Sequence, residues 1–319
     1  MLLFTRKMNT NNEKLYTSIA IKNALFSQIV LGITANTILL LFHVHTLILK
    51  HRPKPTDLTI GHLALIHIIM LLTMGFMATE SFGSQNFWNV VKCKSVIYLY
   101  RLTTSLSVCT TCLLSILQAI ILSPRSSHLA KLKHKSSHHN LYRILLLRVF
   151  NMSINACCLI STIATLNVTS AHLLFVTESC SLLRLSYLPE YIFSTLGIFW
   201  DISFIGLMAL SSGHMVTLLY RHKRQSRHLH STNLSPKASP EERATHTILL
   251  FLSVFVFVYF LDYITSVSLE MWWDNDSVRQ HVHVLVTNSY ATVSPLVLIS
   301  TEKRIMKVLK SVCGRTVNA

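Results

Sequence analysis

The sequence predicts an all-α membrane protein, a seven-transmembrane helix bundle with its N-terminus outside. Three observations lead there. Only 13% of the 319 residues are charged while 51% are hydrophobic, and a soluble domain usually carries about a quarter charged residues. Apolar runs fall at 24–49, 58–79, 95–122, 144–166, 188–220, 245–270 and 282–300, each near the ~20 residues that cross a bilayer as a helix. Lys and Arg collect in alternate stretches between them, as the positive-inside rule requires.

Residues 1–23 form the expected extracellular tail. They carry Arg6, Lys7 and Lys14 but no apolar core ending in small residues, so no cleavable signal peptide is expected and the first run acts as its own insertion signal. The basic stretches hold Lys50, Arg52 and Lys54, then Arg125, Lys131, Lys133, Lys135 and Arg143, then Arg221, Lys223, Arg224, Arg227, Lys237 and Arg243, then Lys303, Arg304, Lys307, Lys310 and Arg315. The opposite set holds little beyond Lys92, Lys94, Arg184 and Arg279. The first set belongs in the cytoplasm, which places the transmembrane domain over 24–300 and the C-terminus inside. The N-terminal cations run against the rule and are outvoted.

Local signals set some boundaries. Ser239, Pro240 and Glu242 stand at N-cap, N1 and N3 of the sixth helix, a capping box. Trp272 and Trp273 follow its outer end, where an aromatic belt belongs. In the final segment, 301–319, Ile305, Met306, Leu309 and Val312 share one face and Lys303, Lys307 and Lys310 another. That pattern predicts a short amphipathic helix on the inner leaflet; a disordered basic tail is its alternative.

The net charge of +16 reads as loop charge facing the cytoplasm, not as a nucleic-acid surface. No metalloprotease, hydrolase or phosphate-loop motif occurs, and no cofactor is expected. The 17 His are scattered, those at 138, 139, 228 and 230 lying in basic loops. Cys109 and Cys112 sit one turn apart in an apolar run and read as packing residues. Cys93 and Cys180 fall on the outer side, where an oxidising lumen permits pairing. Asn167-Val-Thr169 is a glycosylation sequon on that side, and Asn275 begins another close to the membrane. Asn233 begins a third, on the cytoplasmic side, and should stay bare.

Three ionisable residues lie inside apolar runs at similar depth, two to three turns below the outer surface: Arg101, Asp201 and Asp262. Intramembrane charges are costly and face the bundle interior. Arg101 either pairs with one of the aspartates and fixes helix register, or lines a ligand cavity with them beside Tyr100, Thr104, Trp200 and Tyr259. Both can hold at once.

Several strings resemble those of the vomeronasal type-1 receptors, a pheromone-sensing group of rhodopsin-like G-protein-coupled receptors. They are Cys93-Lys-Ser-Val-Ile-Tyr-Leu-Tyr-Arg101, Ser123-Pro-Arg-Ser-Ser127, Lys133-His-Lys-Ser-Ser-His-His139, Asn167-Val-Thr-Ser170, Leu210-Ser-Ser-Gly213, Arg221-His-Lys-Arg224, Ser235-Pro-Lys-Ala-Ser-Pro240, and Ser294-Pro-Leu296 leading to Ser300-Thr-Glu-Lys-Arg304. They occur in order over residues 35 to 310. The resemblance implies a plasma-membrane receptor of vomeronasal sensory neurons that binds a chemosignal outside and activates an inhibitory-class heterotrimeric G protein inside. It also implies a Cys93–Cys180 disulfide and a glycan on Asn167. The chain departs from mainstream rhodopsin-like receptors at Leu117-Gln-Ala119, at His67 in place of an aspartate, and at Ser294-Pro-Leu-Val-Leu298. Such departures are typical of the vomeronasal group.

The expected mechanism is a population shift, in which ligand near Arg101, Asp201 and Asp262 favours one packing of the third, fifth and sixth helices. Their inner ends then open a site between Arg125, Arg221, Arg243 and Lys303 for the G protein. A bitter-taste-type receptor is one alternative. A small-solute transporter is another, disfavoured because Pro295 is the only proline deep in an expected span and transporters use broken, Gly/Pro-interrupted helices.

Overall fold

The computed structural model describes residues 2–49, 55–80, 90–123, 137–156, 162–164, 173–175, 180–183, 187–229, 250, 253–261, 264, 277–301 and 305. The helices are α1 (Leu2–Leu49), α2 (Pro55–Glu80), α3 (Val90–Leu122), α4 (Ser137–Asn155), α5 (Tyr187–Leu229), α6 (253–261) and α7 (Ser277–Thr301). Among the described residues, five helices are long and apolar enough to cross a membrane, over Ile19–Leu49, Thr56–Met77, Lys94–Ile121, Thr195–Leu218 and Val282–Ser300. They answer to the first, second, third, fifth and seventh expected runs. Most of the sixth run, 245–270, lies outside the described residues.

α1 reaches back to Leu2, so the expected tail is helical from that residue and runs on into the first span. One expected bound needs correction. α4 begins seven residues before the expected 144 and ends at Asn155, while residues 162–164 form a strand, β1 (Thr162–Ala164). Hydropathy alone bounds the run 144–166. Its second half is rich in β-branched side chains at Thr162, Ile163 and Thr165, which suit a pleated surface. Two further short strands, β2 (Leu173–Phe175) and β3 (Cys180–Leu183), complete an antiparallel sheet of order β1-β3-β2. Ala164 stands opposite Cys180, and Phe175 opposite Ser181. Hydrophobic periodicity does not anticipate this small sheet.

α3 is the central helix. It packs against α2, α4, α5 and β1, while α1 packs against α2 and α7, and α2 against α7. The shared core runs through Leu39, Leu63, Cys112, Met208, Phe255 and Leu298. Ile305, beyond α7, is buried in the same cluster. Small polar residues let α3 approach its neighbours closely: Ser107, Thr110, Thr111 and Ser115 are all buried, in the manner of membrane helix interfaces.

The outward faces are apolar. Phe26, Ile48, Phe199, Leu210 and Phe257 are each more than 60% exposed. Side chains of that size so placed suit a hydrocarbon solvent, and a water-soluble monomer seldom presents large apolar patches. Where α1, α2 and α7 meet, Gly32 is required. A Cβ there would stand 2.6 Å from both Leu71 Cδ1 and Thr292 Oγ1.

Candidate ligand site and polar core

Tyr100 and Thr104 lie one turn apart on the inward side of α3. The Thr104 hydroxyl donates to the Tyr100 carbonyl at 2.9 Å and lies 3.6 Å from Met70 Sδ of α2. The Tyr100 hydroxyl accepts from Asn288 Nδ2 of α7 at 3.1 Å. Asn288 is fully buried, and its amide oxygen, Oδ1, is an unpartnered acceptor among the described residues. Tyr100 and Asn288 stand ten and eleven residues into their helices, about 15 Å along each axis.

Trp200 belongs to another part of the bundle. Its ring meets Phe150 of α4 at 4.2 Å and Phe204 edge-on at 4.8 Å. Its indole Nε1 is buried without a partner among the described residues. Tyr259 stacks on Phe255, 6.1 Å between centroids. Arg101 lies on an exposed face of α3. The side chains of Asp201 and Asp262 lie outside the described residues, and so do those of Cys93 and Cys180. Asn167, Arg125, Arg243 and Lys303 are likewise outside them; Arg221 is exposed near the end of α5.

Below Tyr100 a second polar group joins α2, α3 and α7. His67 Nε2 lies 2.8 Å from Ser107 Oγ, and its Nδ1 lies 3.4 Å from Ser294 Oγ. The Tyr290 hydroxyl meets Thr111 Oγ1 at 3.1 Å. Its ring stands edge-on to both His67 (5.3 Å) and Phe255 (4.3 Å). Toward α5, Ser115 meets Ser211 and Ser123 meets His214. Toward α4, Ser105 donates to Asn151, whose amide also touches the buried Cys109. Cys112 is buried too, within the shared core cluster, in keeping with a packing role for this pair.

Sequence reading singles out Tyr100, Thr104 and His67 but misses Asn288, Tyr290 and Asn36. Their common signal is a polar side chain at mid-span in an apolar run, which in a bilayer marks an inward face.

Among the described residues no group of His, Cys, Asp or Glu could hold a metal. Long helices that turn apolar flanks outward and gather hydroxyls, amides and a histidine at their centre define a multi-pass membrane protein whose interior does the recognising or the switching. The chain belongs to the vomeronasal organ pheromone receptor family, whose family model matches residues 19–311. It is 54% identical over 294 residues to vomeronasal type-1 receptor 90 of Rattus norvegicus, covering 92% of this chain and 94% of that one. Similarity to vomeronasal type-1 receptor 94 of Rattus norvegicus is 49% over 316 residues, covering 99% and 96%. Vomeronasal type-1 receptor A11 of Mus musculus is 50% identical over 308 residues, covering 97% and 96%. The chain is thus a receptor and not an enzyme, a multi-pass membrane protein of vomeronasal neurons with ligand and G-protein partners. The bitter-taste and transporter alternatives fall away.

Proposed function

We propose that this receptor binds a pheromone-type chemosignal in the outer half of the bundle and activates an inhibitory-class heterotrimeric G protein at its inner face. The observation that carries this reading is the Tyr100–Asn288 contact between α3 and α7. It lies directly above the His67–Ser294 and Tyr290–Thr111 contacts. A ligand that alters the α3–α7 fit therefore acts on a polar core shared by α2, α3 and α7. It shifts the equilibrium by its differential affinity for the two packings.

In this reading Tyr100, Arg101, Thr104, Trp200, Asp201, Tyr259 and Asp262 line the ligand site. Arg125, Arg221, Arg243 and Lys303 receive the G protein. Seven crossings over 24–300 leave the N-terminus outside, and 301–319 forms an amphipathic helix on the inner leaflet; the burial of Ile305 against the bundle core supports that helix. A Cys93–Cys180 disulfide ties the outer loop over the bundle. The packing of β1 on α3 and the pairing of Ala164 with Cys180 bring the chain at Cys180 toward α3. Asn167 carries a glycan.

The test is nucleotide exchange by an inhibitory-class G protein in membranes carrying the receptor, challenged with fractionated animal secretions. Exchange that follows a fraction and needs about tenfold more of it in Tyr100→Phe, with potency reduced in Asp262→Asn as well, supports the reading. Exchange on a stimulatory-class protein alone overturns its inhibitory half.

A further inference from the structure

Where α2 and α4 meet stands a cation with no counter-charge among the described residues. Arg148 of α4 is half-buried. Its Nε donates to His62 Nε2 of α2 at 2.9 Å. A ring that accepts at Nε2 carries its proton on Nδ1, and His62 Nδ1 faces the Thr110 hydroxyl of α3 at 3.4 Å. His62 is therefore neutral, and the whole charge rests on the guanidinium. Among the described residues no carboxylate stands within ion-pair distance of Arg148; the His43–Asp57 pair belongs to the α1–α2 seam. The Nη groups of Arg148, four of its five donors, have no protein partner among those residues.

The surroundings say what supplies the anion. Leu145 and Met152, three residues before and four after, share the stripe of Arg148 and are about half exposed. Leu65, three residues beyond His62, is 40% exposed. Leu147, beside Arg148 in α4, and Leu58 of α2 pack on buried Leu113 and Leu117 of α3. A half-buried guanidinium thus stands among partly exposed apolar side chains, five residues, or ~7 Å, along α4 from Arg143. Arginine at such a depth reaches toward the headgroup layer, and its planar fork suits a phosphate.

We infer that Arg148, oriented by His62, binds the headgroup phosphate of an anionic phospholipid, whose acyl chain lies along Leu145 and Met152. The lipid supplies the missing charge and closes the α2–α4 seam. The inference requires the bundle to lie in a bilayer but not a particular orientation. If topology mapping inverted the chain, the site would move to the other leaflet and lipid retention would be unchanged.

The experiment uses the full chain purified in mild detergent and supplied with phosphatidylserine, phosphatidylcholine or inorganic phosphate, with retained lipid counted by native mass spectrometry. Wild type and Lys94→Gln, which removes a charge from the far end of α3, retain phosphatidylserine in preference to phosphatidylcholine. Arg148→Gln binds it about tenfold more weakly, the loss of a charge-assisted contact, and Arg148→Lys recovers part. Should Arg148→Gln fail to fold, Met152→Glu decides, because a carboxylate one turn on supplies the counter-charge internally and abolishes the preference. Unchanged retention in the variant that is read, equal retention of phosphatidylcholine, or displacement of the lipid by inorganic phosphate overturns the proposal.

Discussion

The side-chain amide of Asn36 occupies the hydrogen-bonding place that Pro295 leaves empty. Proline has no backbone N–H, so in α7 the carbonyl four residues earlier, that of Ala291, loses its helical donor. Asn36 Nδ2 of α1 donates to that oxygen at 2.8 Å. In hydrocarbon an orphaned carbonyl must find a partner within the protein. A neighbouring helix supplies it, so the proline break also fastens α1 to α7.

Asn36→Ala should therefore lower stability by about 1–2 kcal/mol. Pro295→Ala restores the N–H and makes the amide redundant. In that background Asn36→Ala should cost less, with a coupling of at least ~0.5 kcal/mol in a double-mutant cycle. Thermal unfolding of the four proteins in detergent measures it. Additive losses would show that the two residues act independently.

The same seam sets the tolerance of Gly32. Gln28, Gly32 and Asn36 repeat at four-residue spacing along α1 and form the stripe facing α7. Gln28 Nε2 donates to the Leu285 carbonyl at 3.1 Å, and the Thr292 hydroxyl donates to the Gln28 carbonyl at 3.2 Å. A Cβ at Gly32 collides with Leu71 and Thr292 at 2.6 Å. Gly32→Ala should cost about 1–3 kcal/mol, the usual range for overpacking. Leu71→Ala in the same molecule should return part of it, because it removes one of the two colliding atoms. The readout is the melting temperature of the single and double variants.

This seam shows how far the sequence alone reaches. The spans of α1, α2, α3, α5 and α7 follow from apolar length, because lipid rewards that length directly. The spacing of Gln28, Gly32 and Asn36 is also legible, yet three residues on one face do not say which helix they meet. The end of α4 is hidden because hydropathy treats Ile163 alike in a helix and in a strand. Only the non-local pairing of Ala164 with Cys180 decides it. Arg148 lies inside an apolar run in the same way as Arg101, but the loop cations that precede it in sequence mask it. Arg101 stands out through its neighbours Tyr100 and Thr104, but it lies on an exposed face while those two face α7 and α2.

The family resemblance sets His67 where mainstream rhodopsin-like receptors carry an aspartate; its two nitrogens lie against Ser107 and Ser294. An imidazole so placed offers no negative charge to a sodium ion. The melting temperature of the receptor should thus be the same in sodium and potassium chloride at equal ionic strength. His67→Asp should create a difference between the two salts. His67→Leu takes the ring partner from the buried Ser107 hydroxyl and leaves that of Ser294 with Tyr290, and should cost about 1–3 kcal/mol in either salt. A sodium-specific stabilisation of the wild type would show that another group binds the ion.

Tyr100→Phe separates packing from recognition. The substitution keeps the ring and removes the hydroxyl that accepts from Asn288 Nδ2. That nitrogen keeps its bond to the Val284 carbonyl at 2.7 Å, so the amide is not stranded and the melting temperature should move by no more than ~1 kcal/mol of stability implies. Ligand potency behaves differently if the chemosignal lies against this pair, because the phenol fixes which way the amide points. Potency should fall about tenfold, equivalent to ~1.4 kcal/mol, and Asn288→Asp should change it in the same assay by exchanging a donor for an acceptor. Unaltered potency in Tyr100→Phe, together with unaltered stability, would remove the α3–α7 contact from the ligand site and leave the aromatic cluster at Trp200 as the place to look.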